Sequence, residues 1–426
     1  MGGHGSSPGL GYCYPLSQGE GRRYPLFSAK RPQQRPAAGL LSGVLLLSAL
    51  LVLAACSSSG FGSRSASTPT EFQPVSGEVL GTGKVRVAML LPLSATGNAG
   101  QIGLNIKNAA TLALREFQNA DIQIMIKDDR GTADGARAAA SEAIAQGAEL
   151  ILGPLFAQSV AAAASVAKPA RVPIVAFSTD TSAASNGVYL LSFLPQSDVD
   201  RIIQFATLRG KRAFAALLPA NGYGTVVEAA LHKAVADRGG RIIAIERYQL
   251  DRFDMQAKAQ TVAAIANAGQ IDSIFMPDAG DAAPFLAQIL STEGVRTDKV
   301  AFLGSGQWNA DERVVGESNL SGAWYPAPDN AGFESFSSRY RAQFGNAPFR
   351  PASLGYDAAS LAAGLTSRFG DQRFSPETLT NSAGFLGVDG AFRLLPNGTN
   401  QRGLAIYQID KGKAQIIEPA PTNFGS

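Results

Sequence analysis

The chain has 426 residues, 45% of them apolar, with 37 Lys and Arg against 34 Asp and Glu, and only two His and two Cys. A chain of this length divides into more than one hydrophobic core. The positive surplus sits near the start, where Arg22, Arg23, Lys30, Arg31 and Arg35 outnumber Glu20, so it argues for no nucleic-acid surface.

An apolar run from Ala37 to Leu53 follows that basic stretch and ends in Leu53-Ala54-Ala55-Cys56. The run is too short and too rich in small residues for a comfortable membrane span, and the three parts together read as a secretory signal. Leu-Ala-Ala-Cys resembles the lipobox of bacterial lipoproteins. That resemblance implies removal of residues 1–55 and lipid on the Cys56 thiol, with Ser57 implying sorting to the outer membrane, facing the periplasm. An uncleaved anchor helix is the competing reading. The basic stretch is long for a signal, yet no Met before Met89 offers a later start. With Cys13 removed and Cys56 lipidated, neither a disulfide nor a thiolate metal site is expected. Residues 57–83 are rich in Ser, Gly, Thr and Pro and read as a flexible tether with a root-mean-square reach of about 30 Å.

From Lys84 onward short apolar runs alternate with longer helical patterns. Strands are expected at 85–91, 122–126, 150–152 and 172–177, and helices at 105–117, 134–146 and 159–167, with Gly147 as a helix stop. The pattern restarts after Pro195. Helices are expected at 198–208, 225–237, 255–267 and 282–290, and strands at 213–218, 241–248, 271–276 and 300–303. Helices at 333–344 and 356–368 follow, then a β-rich tail at 391–394 and 404–409 with a turn at Asn397-Gly398. Such alternation predicts an α/β fold with parallel βαβ units and helices on both sheet faces, built twice.

Particular residues then carry a resemblance. Leu90-Leu91-Pro92-Leu93-Ser94-Ala95-Thr96-Gly97, Lys127-Asp128-Asp129, the run 147–154, Gly222-Tyr223-Gly224, Gly322-Ala323-Trp324-Tyr325 and the run 352–359 resemble, in order and spacing, blocks of the type I periplasmic-binding-protein superfamily, whose members are leucine-binding-protein-like. Gly153-Pro154-Leu155-Phe156 and Ala176-Phe177-Ser178-Thr179-Asp180 look most like its penicillin-binding-protein activator branch. The resemblance implies two doubly wound, Rossmann-like lobes joined by a hinge, a Venus-flytrap. Lobe 1 is placed at about 84–192 and 326–385. Lobe 2 is placed at about 196–324 with a C-terminal β tail at 386–418, and 419–426 is a terminal tail.

In such a fold strand ends and helix N-termini face the cleft and can hold a carboxylate. Candidate ligand residues are Ser94, Gln158, Ser159, Ser178, Thr179, Tyr223 and Asp278. Ser178 and Thr179 offer hydroxyls, Tyr223 a cap from the second lobe, and Asp278 a partner for an ammonium group. Ala157 stands near where amino-acid binders present a serine hydroxyl, so Gln158 or Ser159 would have to substitute. Turn formation and local capping compete with each of these roles.

Enzyme chemistry is not expected. His4 lies in the removed segment, and His232 falls off the apolar face of its helix, so neither a Ser-His-Asp triad nor a histidine metal site has a source. Gly81-Thr82-Gly83-Lys84 lacks phosphate-loop spacing, Asp128-Asp129 suits a polar turn, and Trp308 and Trp324 suit packing. No cofactor is expected. Two functions remain open, and the motif style, the Ala157 departure and the long tether place the first of them ahead. One is a lipid-anchored regulator that contacts a peptidoglycan synthase. The other hands an amino acid or related small polar ligand to an ABC permease.

Overall fold

A computed structural model describes residues 72–117, 120–309 and 311–425. The expected signal segment, Cys56 and most of the tether lie outside the described residues. Among the described residues no helix is long and apolar enough to cross a membrane.

The first sheet contains β1 (Val79–Leu80), β2 (Val85–Leu91), β3 (Ile122–Asp128), β4 (Leu150–Leu152), β5 (Ile174–Ala176) and β6 (Val188–Leu190), in the order β1-β3-β2-β4-β5-β6. All neighbours are parallel except β1, which runs antiparallel along β3. Helices α1 (Asn98–Glu116), α2 (Ala133–Ala145) and α3 (Ala157–Ala167) make the crossovers. Val87, Met89, Leu152 and Val175 face one core, while Ala88, Leu90, Ile151 and Ile174 face another. Successive strand residues point to opposite faces, so a run that is apolar throughout marks a sheet covered on both sides. Small residues bring the helices close, as with Ala136, Ala140 and Ala143 on α2 and Ala163 and Ala167 on α3.

The second lobe repeats the plan. It runs through α4 (Pro195–Leu208), β7 (Ala213–Pro219), α5 (Gly222–Ala236), β8 (Arg241–Tyr248), α6 (Arg252–Asn267), β9 (Ser273–Phe275), α7 (Ala282–Thr292), β10 (Ala301–Leu303), the short α8 (Glu312–Val315) and β11 (Trp324–Ala327). Its parallel strands lie in the order β8-β7-β9-β10-β11. The chain then returns to the first lobe through α9 (Asn330–Phe344), α10 (Ala352–Phe369) and α11 (Pro376–Leu379). It continues in a small antiparallel sheet of β12 (Phe385–Gly387), β13 (Gly390–Leu394) and β14 (Asn400–Arg402). It ends with β15 (Ala405–Asp410) and β16 (Lys413–Glu418), which extend the second sheet beyond β11.

Several expectations change. The tether does not run to residue 83, because Val79 and Leu80 pair with Met125 and Ile124 as an edge strand of the first sheet. The first-lobe helix begins at Asn98 rather than 105, because Gly100 and Gly103 act as close-approach residues and not as breakers. A Cβ at Gly100 would lie 2.3 Å from the Ala95 carbonyl oxygen, and one at Gly103 would lie 3.2 Å from the Pro92 ring. The strand Val188–Leu190 had no separate place in the sequence reading, although all three residues are buried. The tail from 386 does not belong wholly to lobe 2. Phe385, Phe392 and Leu394 pack into the first-lobe core, and only β15 and β16 join the second sheet.

Helix α10 is buried without interruption from Ala352 to Leu365 and lies against α1. Their contact closes at Gly355, where a Cβ would stand 2.4 Å from the backbone oxygen of Ile106. Farther along, Glu116 of α1 accepts the Tyr356 hydroxyl at 2.5 Å and pairs with Arg339 of α9. Overpacking of a rigid contact costs about 1–3 kcal/mol. Gly355→Ala is therefore expected to lower stability by about that amount in thermal or denaturant unfolding. An unchanged midpoint would show that the two helices separate without cost.

Candidate ligand cavity at the hinge

In both sheets the strand order reverses once, between β2 and β4 in the first lobe and between β7 and β9 in the second. Loops diverge at such a point and leave a crevice at the carboxyl ends of the strands. Three segments connect the lobes: Leu191–Leu194 between β6 and α4, Pro328–Asp329 between β11 and α9, and Gly403–Leu404 between β14 and β15. Residues of all three line one cavity of about 460 Å³, among them Phe193, Leu194, Pro328 and Leu404.

The second lobe supplies the cavity's polar wall from the ends of successive strands. Asn221 caps α5 by accepting the Gly224 N–H, which places Tyr223 in the first helical turn. The Tyr223 hydroxyl lies 3.1 Å from Ser305 Oγ and 3.3 Å from the Pro277 carbonyl oxygen. Ser305 in turn donates to Pro277 at 2.6 Å, so the residues that follow β9 and β10 hold the Tyr223 ring in position. Burial raises the Tyr223 hydroxyl well above the usual tyrosine value, keeping it a neutral donor.

Asp198 is the carboxylate of this wall. It stands in the first turn of α4 and accepts the Gly306 N–H at 3.0 Å. Its approach depends on the glycine, since a Cβ at 306 would come within 2.7 Å of the carboxylate. A helix N-terminus favours an ionised acid, but burial outweighs that and pushes Asp198 up to about 7, with the Gly306 N–H pulling the other way. The opposite wall carries two guanidinium groups, those of Arg350 and Arg402.

The sequence-derived candidates separate into three groups. Tyr223 and Thr179 line the cavity. Ser94 is exposed at the first-lobe switch point, its N–H 3.3 Å from Asp128 Oδ1, and Gln158 reaches the Gly131 carbonyl oxygen at 3.4 Å. Neither belongs to the cavity lining. Ser159 and Ser178 are buried. Ser159 lies on the buried face of α3 and is not among the residues lining the cavity. Ser178 Oγ accepts the Asp180 N–H at 3.1 Å, a turn role. Asp278 is not among the residues lining this cavity; its carboxylate takes the Tyr248 hydroxyl at 3.0 Å and the Ala279 N–H at 3.0 Å. Asp198, Gly306, Gln307, Arg350 and Arg402 escaped the sequence reading. The Pro residues at 195 and 328 mark two of the crossings, but nothing in the sequence shows that they converge.

His232 is 59% exposed. Trp308 is buried with its indole N–H donated to the Asp278 carbonyl, and Trp324 meets Phe205 edge-on. Asp128 and Asp129 accept backbone N–H groups of their own turn. Among the described residues no cluster of His, Cys, Asp or Glu is arranged to hold a metal ion.

The raised Asp198 value has a consequence for stability. Its unfolded value is about 4, so between about pH 4 and pH 7 the folded chain holds a proton that the unfolded chain has lost. The contribution of this group therefore falls as pH rises through that window. Asp198→Asn is expected to melt above wild type at about pH 8, with the gap closing toward about pH 4.5. Melting curves across that range check it, and a pH-independent gap would contradict the assignment.

Comparison with known proteins agrees with this geometry. The profile of the periplasmic binding protein family matches residues 84–414. No curated protein matches the chain in sequence. A putative branched-chain amino acid ABC transporter from Rhodospirillum rubrum superposes with a TM-score of 0.68 at 20% identity, covering 78% of this chain and 99% of that one. An ABC transporter substrate-binding protein from Desulfitobacterium hafniense, in complex with Leu, gives 0.56 at 16% identity, covering 78% and 99%. A solute binding protein of an ABC transporter from Rhodopseudomonas palustris BisB5, in complex with 3,4-dihydroxybenzoic acid, gives 0.53 at 19% identity, covering 80% and 98%. At these identities the superpositions show a shared fold. With its family match across both lobes, the chain belongs to the periplasmic binding proteins, in the two-lobed type I form, and its place is the cell envelope.

Proposed function

We propose that the protein is the solute-binding component of an ABC importer, and that lipid on Cys56 holds it at the membrane, in the outer membrane by the Ser57 reading. The observation that carries this reading is the cavity lined from both lobes and all three crossings. Its volume of about 460 Å³ falls in the range of small-molecule sites. A solute seated there touches both lobes at once, so binding favours closure about the hinge. Capture and release need no covalent chemistry, and the reading assigns none.

The named ligands of the structural neighbours, leucine and 3,4-dihydroxybenzoic acid, are small carboxylate-bearing molecules. A solute of that class suits a cavity with an apolar body and charged ends. The regulator of peptidoglycan synthesis, placed first on sequence style, finds no support in the family match or in these structures. Such a regulator also requires no ligand cavity, whereas this chain has one at the position where closure would use it.

A panel of amino acids and small aromatic and aliphatic acids, scored by thermal shift, tests the reading. A ligand at about 100 times its dissociation constant stabilises the folded state by about 2.7 kcal/mol. We expect a saturable rise in melting temperature with at least one acid. A flat panel from well-folded protein would return the search to a protein partner.

A further inference from the structure

The end of the first lobe away from the cleft carries a pocket of its own. It has a volume of about 460 Å³ and opens at the N-terminal ends of β5 and β6, where Pro173 and Gly187 lead into those strands. Its walls are the rings of Pro173, Tyr189, Phe374 and Pro376, and its only charged lining residues are Lys168 and Arg171. Both cations are exposed. Lys168 donates to Ser185 Oγ at 2.8 Å, and among the described residues neither cation meets an acid within ion-pair distance. Glu377 stands near Tyr189 but outside the lining.

Arg171 holds its place at a conformational cost. It follows the last turn of α3 with a left-handed backbone, φ 59°. The Arg171 N–H reaches the Lys168 carbonyl at 3.0 Å and the Val172 N–H reaches the Ala167 carbonyl at 3.0 Å. Those two bonds make a helix stop in which glycine is the usual residue at this position. Any side chain raises the energy of that backbone, so local structure does not ask for arginine here.

The same end of the lobe receives the chain from the expected lipid anchor. Helices α2 and α3 run back against the parallel strands, so Ala145 and Ala167 at their ends lie at the strands' N-terminal edge. There the Gln73 N–H donates to the Ala145 carbonyl at 2.9 Å, and Ser76 Oγ donates to Glu142 at 2.7 Å. From Cys56 to Gln73 the chain spans at most about 60 Å even fully extended. A lipid on Cys56 therefore keeps this end of the lobe within reach of the bilayer, while the cleft faces the other way. Anionic headgroups attract cations only within about a Debye length, roughly 8 Å at physiological salt. Tethering at this end raises the effective concentration of headgroups at the two cations.

We propose that Lys168 and Arg171 seat the phosphate headgroup of an anionic membrane lipid, with its glycerol portion in the ring-lined pocket, and so hold the first lobe with its cleft turned away from the bilayer. This rests on the lipid-anchor part of the proposed function and not on solute binding. The seat lies wholly in the first lobe, so the second lobe stays free to move about the hinge.

The test uses the full-length lipoprotein, purified in detergent and incorporated into vesicles of phosphatidylcholine with or without phosphatidylglycerol. A fluorophore is attached through Ala170→Cys beside the seat or through Ser94→Cys at the cleft end, and energy transfer to an acceptor on the lipid headgroups is read. Transfer from position 170 is expected to exceed that from position 94 when phosphatidylglycerol is present. The excess is expected to shrink on phosphatidylcholine alone and at high salt. Arg171→Gly together with Lys168→Gln is expected to keep its melting temperature within a few degrees, since glycine suits the left-handed position, and to lose the phosphatidylglycerol-dependent part of the excess. An excess that ignores phosphatidylglycerol, or one that survives unchanged in the folded double variant, would overturn the headgroup seat while leaving the anchor intact. Protein that fails to float with the vesicles would overturn the lipid anchor itself, and the seat with it.

Discussion

The first crossing is tied to the small antiparallel sheet by side chains that satisfy its backbone. Asn400 Nδ2 donates to the carbonyls of Leu190 and Ser192, each at 2.8 Å, and Arg402 Nε donates to Ser192 at 3.0 Å. A buried carbonyl without a partner costs more than the hydrogen bond itself returns, so these contacts fix the first crossing against β14. The Gly398 carbonyl adds a backbone bond from the Leu190 N–H at 2.7 Å. The hinge is therefore a set of chain segments sewn together by polar groups, on which two independently packed α/β lobes are mounted.

That construction explains why the cavity is charged at its base. Arg402 is recruited to satisfy a backbone carbonyl, and its guanidinium then lies on Phe193. Arg350 reaches the same ring from the loop before α10, anchored by Asn330 and Asp389. Opposite them the strand ends of the second lobe converge on Tyr223, Ser305 and Gly306, and Gly306 admits Asp198. Groups that brace the hinge are thereby the groups a solute would meet.

The legibility of the sequence varied by residue for physical reasons. Tyr223 was readable because Asn221 and the glycines around it fix a helix start after a strand, and that position faces the cleft in any fold of this plan. Ser159 carried the same kind of signal, yet the pitch of α3 turns it into the core. Asp278 follows a strand as expected, but the nearby Tyr248 hydroxyl takes up its carboxylate. Asp198 looked like an ordinary first-turn acid. Only the fold brings the Gly306 N–H, more than a hundred positions later, against it in the cavity wall.

The sequence by itself determined the alternation of strands and helices, the doubling of the α/β unit and the doubly covered sheets. Those properties rest on local periodicity, on small residues beneath helices and on glycines at helix ends, all written within a few neighbouring positions. It also bounded the chemistry, since one histidine outside the signal-like segment leaves no histidine pair for a metal centre. Tertiary structure alone decided the cavity. Phe193, Tyr223, Gly306, Pro328, Arg350 and Arg402 come from every part of the folded chain. They meet because the chain crosses between the lobes three times, and no local pattern encodes which distant segments those crossings bring together.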